Sequence, residues 1–561
     1  MSNIFVTVKL KREGIMNQEN LAKRIEELAV KYGKTITHTN TKLEKNNEEF
    51  FNTWFKELEK VAKVPLETKI SPIKNDYLQR SVCYALLRGK SKNTVILIGH
   101  SDTVDIEDFS KIKDIAYEPE KIKEAYRRAE VQVPDEVKED LTDEWIFGRG
   151  ICDMKGGGAI EMALFEQYVQ DENFPGSLLL VAVPDEENLS AGMRHLSHIL
   201  EDLNKRYGLE YRAIIDAEPH MRTKENEMII YDGSIGKVMP ICLTRGKLTH
   251  VGQVYQGLNP ISLLSEIVSL TDLNTDFIET VGNTTCPAPT WLYEKDRKYI
   301  YDVSLPMTAG GYMSVLPLKK KPNEIMEILK DISKEAFENV IARTNKSYKK
   351  YLEDQEKKDK ITYPTKVFLF EELVNEIKKE SKVDIDKILK DKEEELTQKV
   401  LKGEITIPES VFRLMEELLS NYYYRGPVVI WGMCPPYYPS VNNMDLLTGE
   451  KMQEIVKKMK EFTKDNFKLD LKVENYFTGI CDLSYAMLTL NDEEINYVKN
   501  NLLMWNTYPI ELDIIKKYSM SVFNIGPWGK DLHKYTERVN REDLCYRTPK
   551  LMDFAINEIL N

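Results

Sequence analysis

The chain has 561 residues, with 91 Asp and Glu against 78 Lys and Arg and a formal net charge of −13. That length calls for two to four structural units, and the acidic balance argues against a nucleic-acid or anionic membrane surface, which needs a basic face. No run approaches the roughly 18–20 apolar residues of a membrane span. Residues 1–14 lack a signal peptide's apolar core and cleavage site, with Met16 an alternative start. The seven cysteines are scattered, odd in number and never form CxxC, which implies neither a disulfide framework nor a thiolate zinc cage and points to a reducing, cytoplasmic compartment.

From Asn17 to about Ala62 the apolar residues recur at helical spacing: Leu21, Ile25, Leu28 and Ala29, then Phe50, Trp54, Leu58 and Val61. Strand-like runs then alternate with helices: SVCYALL, TVILIGH, a helix over 158–169, SLLLVAV, a helix over 191–203, and YRAIIDAEP. Such alternation predicts an α/β layer with a mostly parallel sheet and a site at the strand ends. The charged stretch 105–145 interrupts the pattern and reads as a surface excursion of short helices bordering the cleft. From Lys237 the order β-α-β-β-α predicts a small two-layer domain, 237–348, inserted into the larger one. Lys349 to Leu401 is rich in Lys and Glu at helical spacing, and 349–410 is expected to be a solvated helical insertion without chemistry. GPVVIWGM, from Gly426, is expected to resume the larger domain, which therefore spans 1–236 and 411–561.

Five segments carry the chemistry. His100 and Asp102 follow the apolar run Thr94 to Ile98; GRGICDMKGGGA spans 148–159, VPDEEN 183–188, IIDAEP 214–219 and GPWGKDLHKYTERV 526–539. Each puts a hard or borderline metal ligand at or near the end of an expected strand, and together they predict a dinuclear metal site. His100 would ligate while Asp102 hydrogen-bonds its imidazole. Asp153 is the candidate bridge, because two dications at about 3.5–4 Å need a shared anion. The glycines after it permit close backbone approach; a nucleotide loop is the weaker reading, since GxxxxGK[ST] is absent. Glu186 and Glu187, adjacent on an extended segment, would point opposite ways, one to a metal and one to the cleft.

The ordered set resembles the co-catalytic zinc peptidase family of glutamate carboxypeptidase, aminoacylase and succinyl-diaminopimelate desuccinylase, and is most similar to its RocB-type arginine-utilisation proteins. The resemblance implies a zinc-peptidase catalytic domain carrying an inserted α+β lid. It implies two divalent ions, zinc first, with cobalt or manganese suiting the same ligands. His100 and Glu218 would hold one ion, Glu187 and His533 the other, with Asp153 shared and Glu537 behind; Asp216 stays open as a substitute for Glu218. Glu186 would be the general base and acid.

His250, in RGKLTHVGQVYQGLNP, matches a lid histidine that in dimeric members reaches the partner's active site, although Val254 stands where proline is usual and Pro260 where alanine is common. Asn259 of that segment, Asp482 of TGICDLSY and Arg425 of NYYYRGP are candidate substrate-binding residues; for Asp482 a simple turn carboxylate is an equal alternative. The implied activity is hydrolysis of an amide bond in a small peptide or N-acyl amino acid, linked to arginine catabolism, in a homodimer formed through the lid. The alternative is a non-catalytic metabolite-binding or sensor protein, against which the intact Glu186 argues.

Overall fold

The computed structural model describes residues 17–352, 360–380 and 382–561; the readings of residues 1–14 and of Met16 lie outside them. The larger sheet has eight strands, in the order Leu66–Pro72, Ser81–Arg88, Ser177–Val183, Asn93–His100, Glu210–Asp216, Ser521–Asn524, Glu227–Tyr231 and Asp470–Glu474. Its four central strands, from Ser177–Val183 to Ser521–Asn524, run parallel, and the flanks are mixed. The expected α/β class holds, with a mixed sheet around a parallel centre.

Asn93–His100 explains why that centre reads as an unbroken apolar run. Val95 and Leu97 enter one core, while Ile96 and Ile98 enter the core on the opposite face, so neither side of the strand meets water. One face is covered by helices Gln18–Gly33, Lys155–Tyr168 and Thr548–Leu560. Asn17 caps the first by accepting from Asn20 N at 2.8 Å. Lys155–Tyr168 has almost no polar face, as suits a helix enclosed on all sides. At its start a Cβ on Gly157 would lie 2.2 Å from the Ala217 carbonyl oxygen, so glycine there sets the spacing between the Asp153 loop and the Glu218 segment.

The smaller sheet has five strands, Thr290–Asp296, Thr308–Ser314, Pro240–Arg245, Val428–Met433 and Val367–Leu369. Two expectations are corrected by it. Val428–Met433 does not resume the larger domain; it pairs with Pro240–Arg245 inside the smaller sheet. Nor is 349–410 only a solvated hairpin, because Val367–Leu369 adds an edge strand and the helices Phe370–Glu380 and Ile407–Ser420 cover the sheet's second face. Ile241, Leu243, Val428 and Ile430 point to those helices, whereas Cys242, Val429 and Trp431 point to Pro260–Thr271 and Pro322–Tyr351. The Lys- and Glu-rich composition hid this, since the apolar stripes are short and shared among three helices.

The excursion 105–145 builds its own small core from Phe109, Ile122, Tyr126, Trp145 and Phe147. Beside it, Trp145–Phe147, Gly529–Lys530 and Arg538–Asn540 form a three-stranded sheet that joins the segment before GRGICD to the segment after His533. All seven cysteines are buried and unpaired. Among the described residues no helix is long and apolar enough to cross a membrane.

Gly157→Ala is expected to destabilise the fold by about 1–3 kcal/mol through overpacking against backbone. Gly158→Ala, whose methyl would meet the Tyr32 ring at 3.3 Å, should lose less. Chemical denaturation of both variants checks the order.

Candidate functional site

The site lies just past the carboxyl ends of the central parallel strands, where open α/β sheets gather ligands. His100 is the last residue of its strand and is buried. Its Nδ1 donates to the main-chain carbonyl of Asp102 at 3.0 Å. That bond leaves Nε2 facing Asp153 Oδ1 at 2.9 Å and Glu218 Oε1 at 3.3 Å.

Asp102 departs from its expected role. Its carboxylate is 3.8 Å from the imidazole and accepts instead from the backbone N–H of Glu186 at 3.1 Å and of Glu187 at 3.3 Å. A wholly buried carboxylate needs donors, and these two amides supply them. The carbonyl of residue 102 orients the imidazole, and its side chain holds the turn bearing the two glutamates.

That turn is not the extended segment expected. Asp185 has φ 74°, a left-handed conformation that costs a non-glycine residue about 1–3 kcal/mol. Its carboxylate is held by Arg80, which also bonds Glu44 at 2.9 Å and Asp76 at 2.8 Å. Nothing in the sequence singles Arg80 out. From this turn the glutamates diverge: Glu187 Oε1 lies 3.1 Å from His533 Nε2, while Glu186 has an oxygen within 4.8 Å of ligand atoms of His100 and Glu218.

Asp153 stands between two imidazoles, with Oδ1 toward His100 and Oδ2 3.1 Å from His533 Nε2. Its loop is held by Glu537, whose Oε1 accepts from Cys152 N at 3.1 Å and Asp153 N at 3.2 Å. The other oxygen of Glu537 takes Arg149 Nη1 at 2.8 Å, and Arg149 Nη2 bonds Asp108 at 2.8 Å and the His533 carbonyl at 3.3 Å. Arg149 thus ties both halves of the site together. Its place inside GRGICD is the signal that sequence reasoning passed over.

The site is electrostatically crowded. Burial pushes the Glu186 and Glu187 carboxyls up, and those of Glu218 and Glu537 to about 7. Burial opposes the His100 proton, but hydrogen bonds to Asp153 and Glu218 outweigh it and hold the imidazole well above its usual range. Hydrogen bonds to Asp153 and Glu187 lift His533 to about 10. Burial also works against the Asp153 charge, yet the two imidazoles hold its carboxyl well below the usual range. The donor set fits metal ions: His100, Asp153 and Glu187 offer ligand atoms within 4.8 Å of one another, and so do His100, Glu186 and Glu218.

Glu218, not Asp216, belongs to these groups. Asp216 ends its strand outside them, and Asp482 is buried nearby. Three expected residues are not brought in. His250 is exposed on the smaller domain, its Nδ1 accepting from Gly252 N at 3.1 Å. Asn259 uses its side-chain oxygen to cap helix Pro260–Thr271, accepting from Ile261 N at 3.0 Å. Arg425 is exposed and bonds the Ser420 carbonyl at 3.2 Å. A cleft of about 1130 Å3 reaches the glutamate turn at Asp185 and Asn188, and its far wall is Asp391, Glu394 and Gln398 of the insertion.

Because the folded His533 pKa of about 10 lies above the free value, the metal-free protein carries that proton at neutral pH, whereas ligation needs a neutral imidazole. Zinc binding at pH 7 should therefore release protons. Calorimetry in buffers of different ionisation enthalpy reads this; heats independent of the buffer would contradict it.

The family model of peptidase family M20/M25/M40 matches residues 96–490. The chain is 31% identical to YqjN of Bacillus subtilis over 487 residues, covering 86% of this chain and 87% of that protein. It is 28% identical to the RocB protein of the same organism over 490 residues, covering 86% and 85%. Among solved structures it is similar to the aminopeptidase PepT from Bacillus cereus, with a TM-score of 0.54 and 12% identity, covering 96% of this chain and 99% of that one. The motifs gathered at the strand ends and the match over most of the length agree: this chain belongs to the M20/M25/M40 peptidase family.

Proposed function

We propose that the protein is a metal-dependent amide hydrolase with a co-catalytic pair of divalent ions. His100 and Glu218 would hold one ion, Glu187 and His533 the other, with Asp153 available to both. The observation that carries this reading is the Asp153 carboxylate, one oxygen 2.9 Å from His100 and the other 3.1 Å from His533. Two imidazoles and three carboxylates suit zinc, and cobalt or manganese accept the same donors. Such a pair, when bound, polarises an amide carbonyl and makes water acidic enough to lose a proton near neutral pH.

Glu186 is left to manage that proton. It takes it from the attacking water and delivers it to the leaving amine nitrogen. A carboxyl pushed up by burial suits a group that must hold and then release a proton. Asp102 fixes the Glu186 backbone, and Arg149 with Glu537 fixes Asp153, so both act by positioning.

The substrate is a small peptide or N-acyl amino acid, and the 28% identity to RocB supports a place in arginine catabolism. The seven unpaired thiols support a reducing, cytoplasmic setting. Around His250 the smaller domain exposes Leu248, Val251, Ile300, Tyr301 and Val303. This apolar face supports pairing of two copies through the lid, with His250 then serving the other copy's site as an oxyanion donor.

Glu186→Gln should keep its metal while turnover falls about 10²- to 10⁴-fold; His100→Ala and Asp153→Ala should lose metal and activity together. Metal analysis beside a screen of dipeptides and N-acyl amino acids tests this. Undiminished turnover in Glu186→Gln would remove the base, and a metal-loaded wild type inert toward every amide would favour a binding protein.

A further inference from the structure

Asp482 opens the short helix Asp482–Tyr485, is 3% exposed, and has no hydrogen-bond partner on either carboxylate oxygen. The Ser190 hydroxyl beside it acts on its charge while also meeting Tyr438 Oη at 3.2 Å. Its neighbours are those of the metal site: its charge bears on Glu186, Asp216 and Tyr438, while His100, Asp102 and Glu218 bear on it.

Most of the other buried acids here are accounted for. Asp153, Glu187 and Glu218 occupy the positions assigned to ligands; two backbone amides satisfy Asp102, Arg80 satisfies Asp185, and Arg149 satisfies Glu537. Among the leading charges that act on Asp482 only His100 is basic, and that imidazole already faces Asp153 and Glu218; Asp216 adds a second negative charge close by. A buried carboxylate left in this state is costly unless a cation arrives. Asp482 lies outside both three-residue groups whose ligand atoms cluster for a metal ion, so it is free of the ligand role assigned to Asp153, Glu187 and Glu218.

We propose that Asp482 anchors a positively charged nitrogen of the substrate, an ammonium or guanidinium group, beside the amide on which Glu186 acts. This rests on the hydrolase reading above and narrows it. Peptides with a free amino terminus or a basic side chain are preferred, and N-acyl amino acids whose only charge is negative are poor substrates.

The test compares zinc-loaded wild type with Asp482→Asn, an isosteric change that removes the charge and keeps the shape. The substrates are a free-amine dipeptide, its N-acetylated form, and N-acetylated peptides carrying lysine or norleucine on the acyl side. The variant should lose about 10- to 100-fold in kcat/KM on cation-bearing substrates and keep its activity on neutral ones, with unchanged metal content. Loss confined to the free-amine arm assigns an α-ammonium, and loss confined to the lysine arm a side-chain cation. Equal loss on charged and neutral substrates, or loss of metal, overturns the proposal.

Binding is read separately by thermal shift, using glycinamide against N-acetylglycinamide and N-acetyl-lysinamide against N-acetyl-norleucinamide. At least one cationic member should raise the wild-type Tm above its neutral partner, and Asp482→Asn should abolish the difference. A wild type that cleaves no amide but shows this shift sinks the hydrolase reading and leaves the cation site standing. Cleavage of neutral substrates without any shift does the reverse, and neither cleavage nor shift sinks both.

Discussion

One carboxylate holds two imidazoles apart. Asp153, with Oδ1 2.9 Å from His100 and Oδ2 3.1 Å from His533, joins the first and last chemical segments of the chain at a point already crowded with Glu186, Glu187 and Glu218. Like charges brought this close oppose folding unless cations intervene. The surrounding protein is organised to tolerate the crowding: Arg149 and Glu537 brace Asp153, Asp102 braces the glutamate turn through two amides, and Arg80 holds Asp185 in a left-handed conformation.

The fold supplies this convergence by simple means. Parallel strands end together, so His100, the glutamate turn and the Glu218 segment are neighbours before any side chain is considered. His533 comes from another direction and needs its own device, the three-stranded sheet that ties residues 529–530 and 538–540 to Trp145–Phe147. Gly157 brings the helix that follows Asp153 against the backbone of Ala217. The smaller sheet is covered on both faces, and His250 lies exposed beside it.

Much of this was legible in the residues. Apolar runs ending in ligand-type side chains marked the central strands, and the glycines after Asp153 marked a close approach. What could not be read was longer-range. The carboxylate of Asp102 looked like a partner for His100 because it is two residues away, yet a turn 84 residues further on offered better donors. Glu186 and Glu187 diverge because of a left-handed Asp185, a conformation that composition does not announce. Val428–Met433 and the helices after residue 367 belong with the smaller sheet rather than the larger one, because apolar alternation shows that a strand is buried but not in which sheet. Asn259 looked available for a ligand until its oxygen was found closing a helix.

The proposed chemistry needs two cations sharing Asp153, and anomalous diffraction from crystals grown with zinc tests that most directly. Two peaks should flank the Asp153 carboxylate, one contacted by His100 and Glu218 and the other by Glu187 and His533. A single peak, or two peaks with Asp153 bound to neither or to only one, would contradict it.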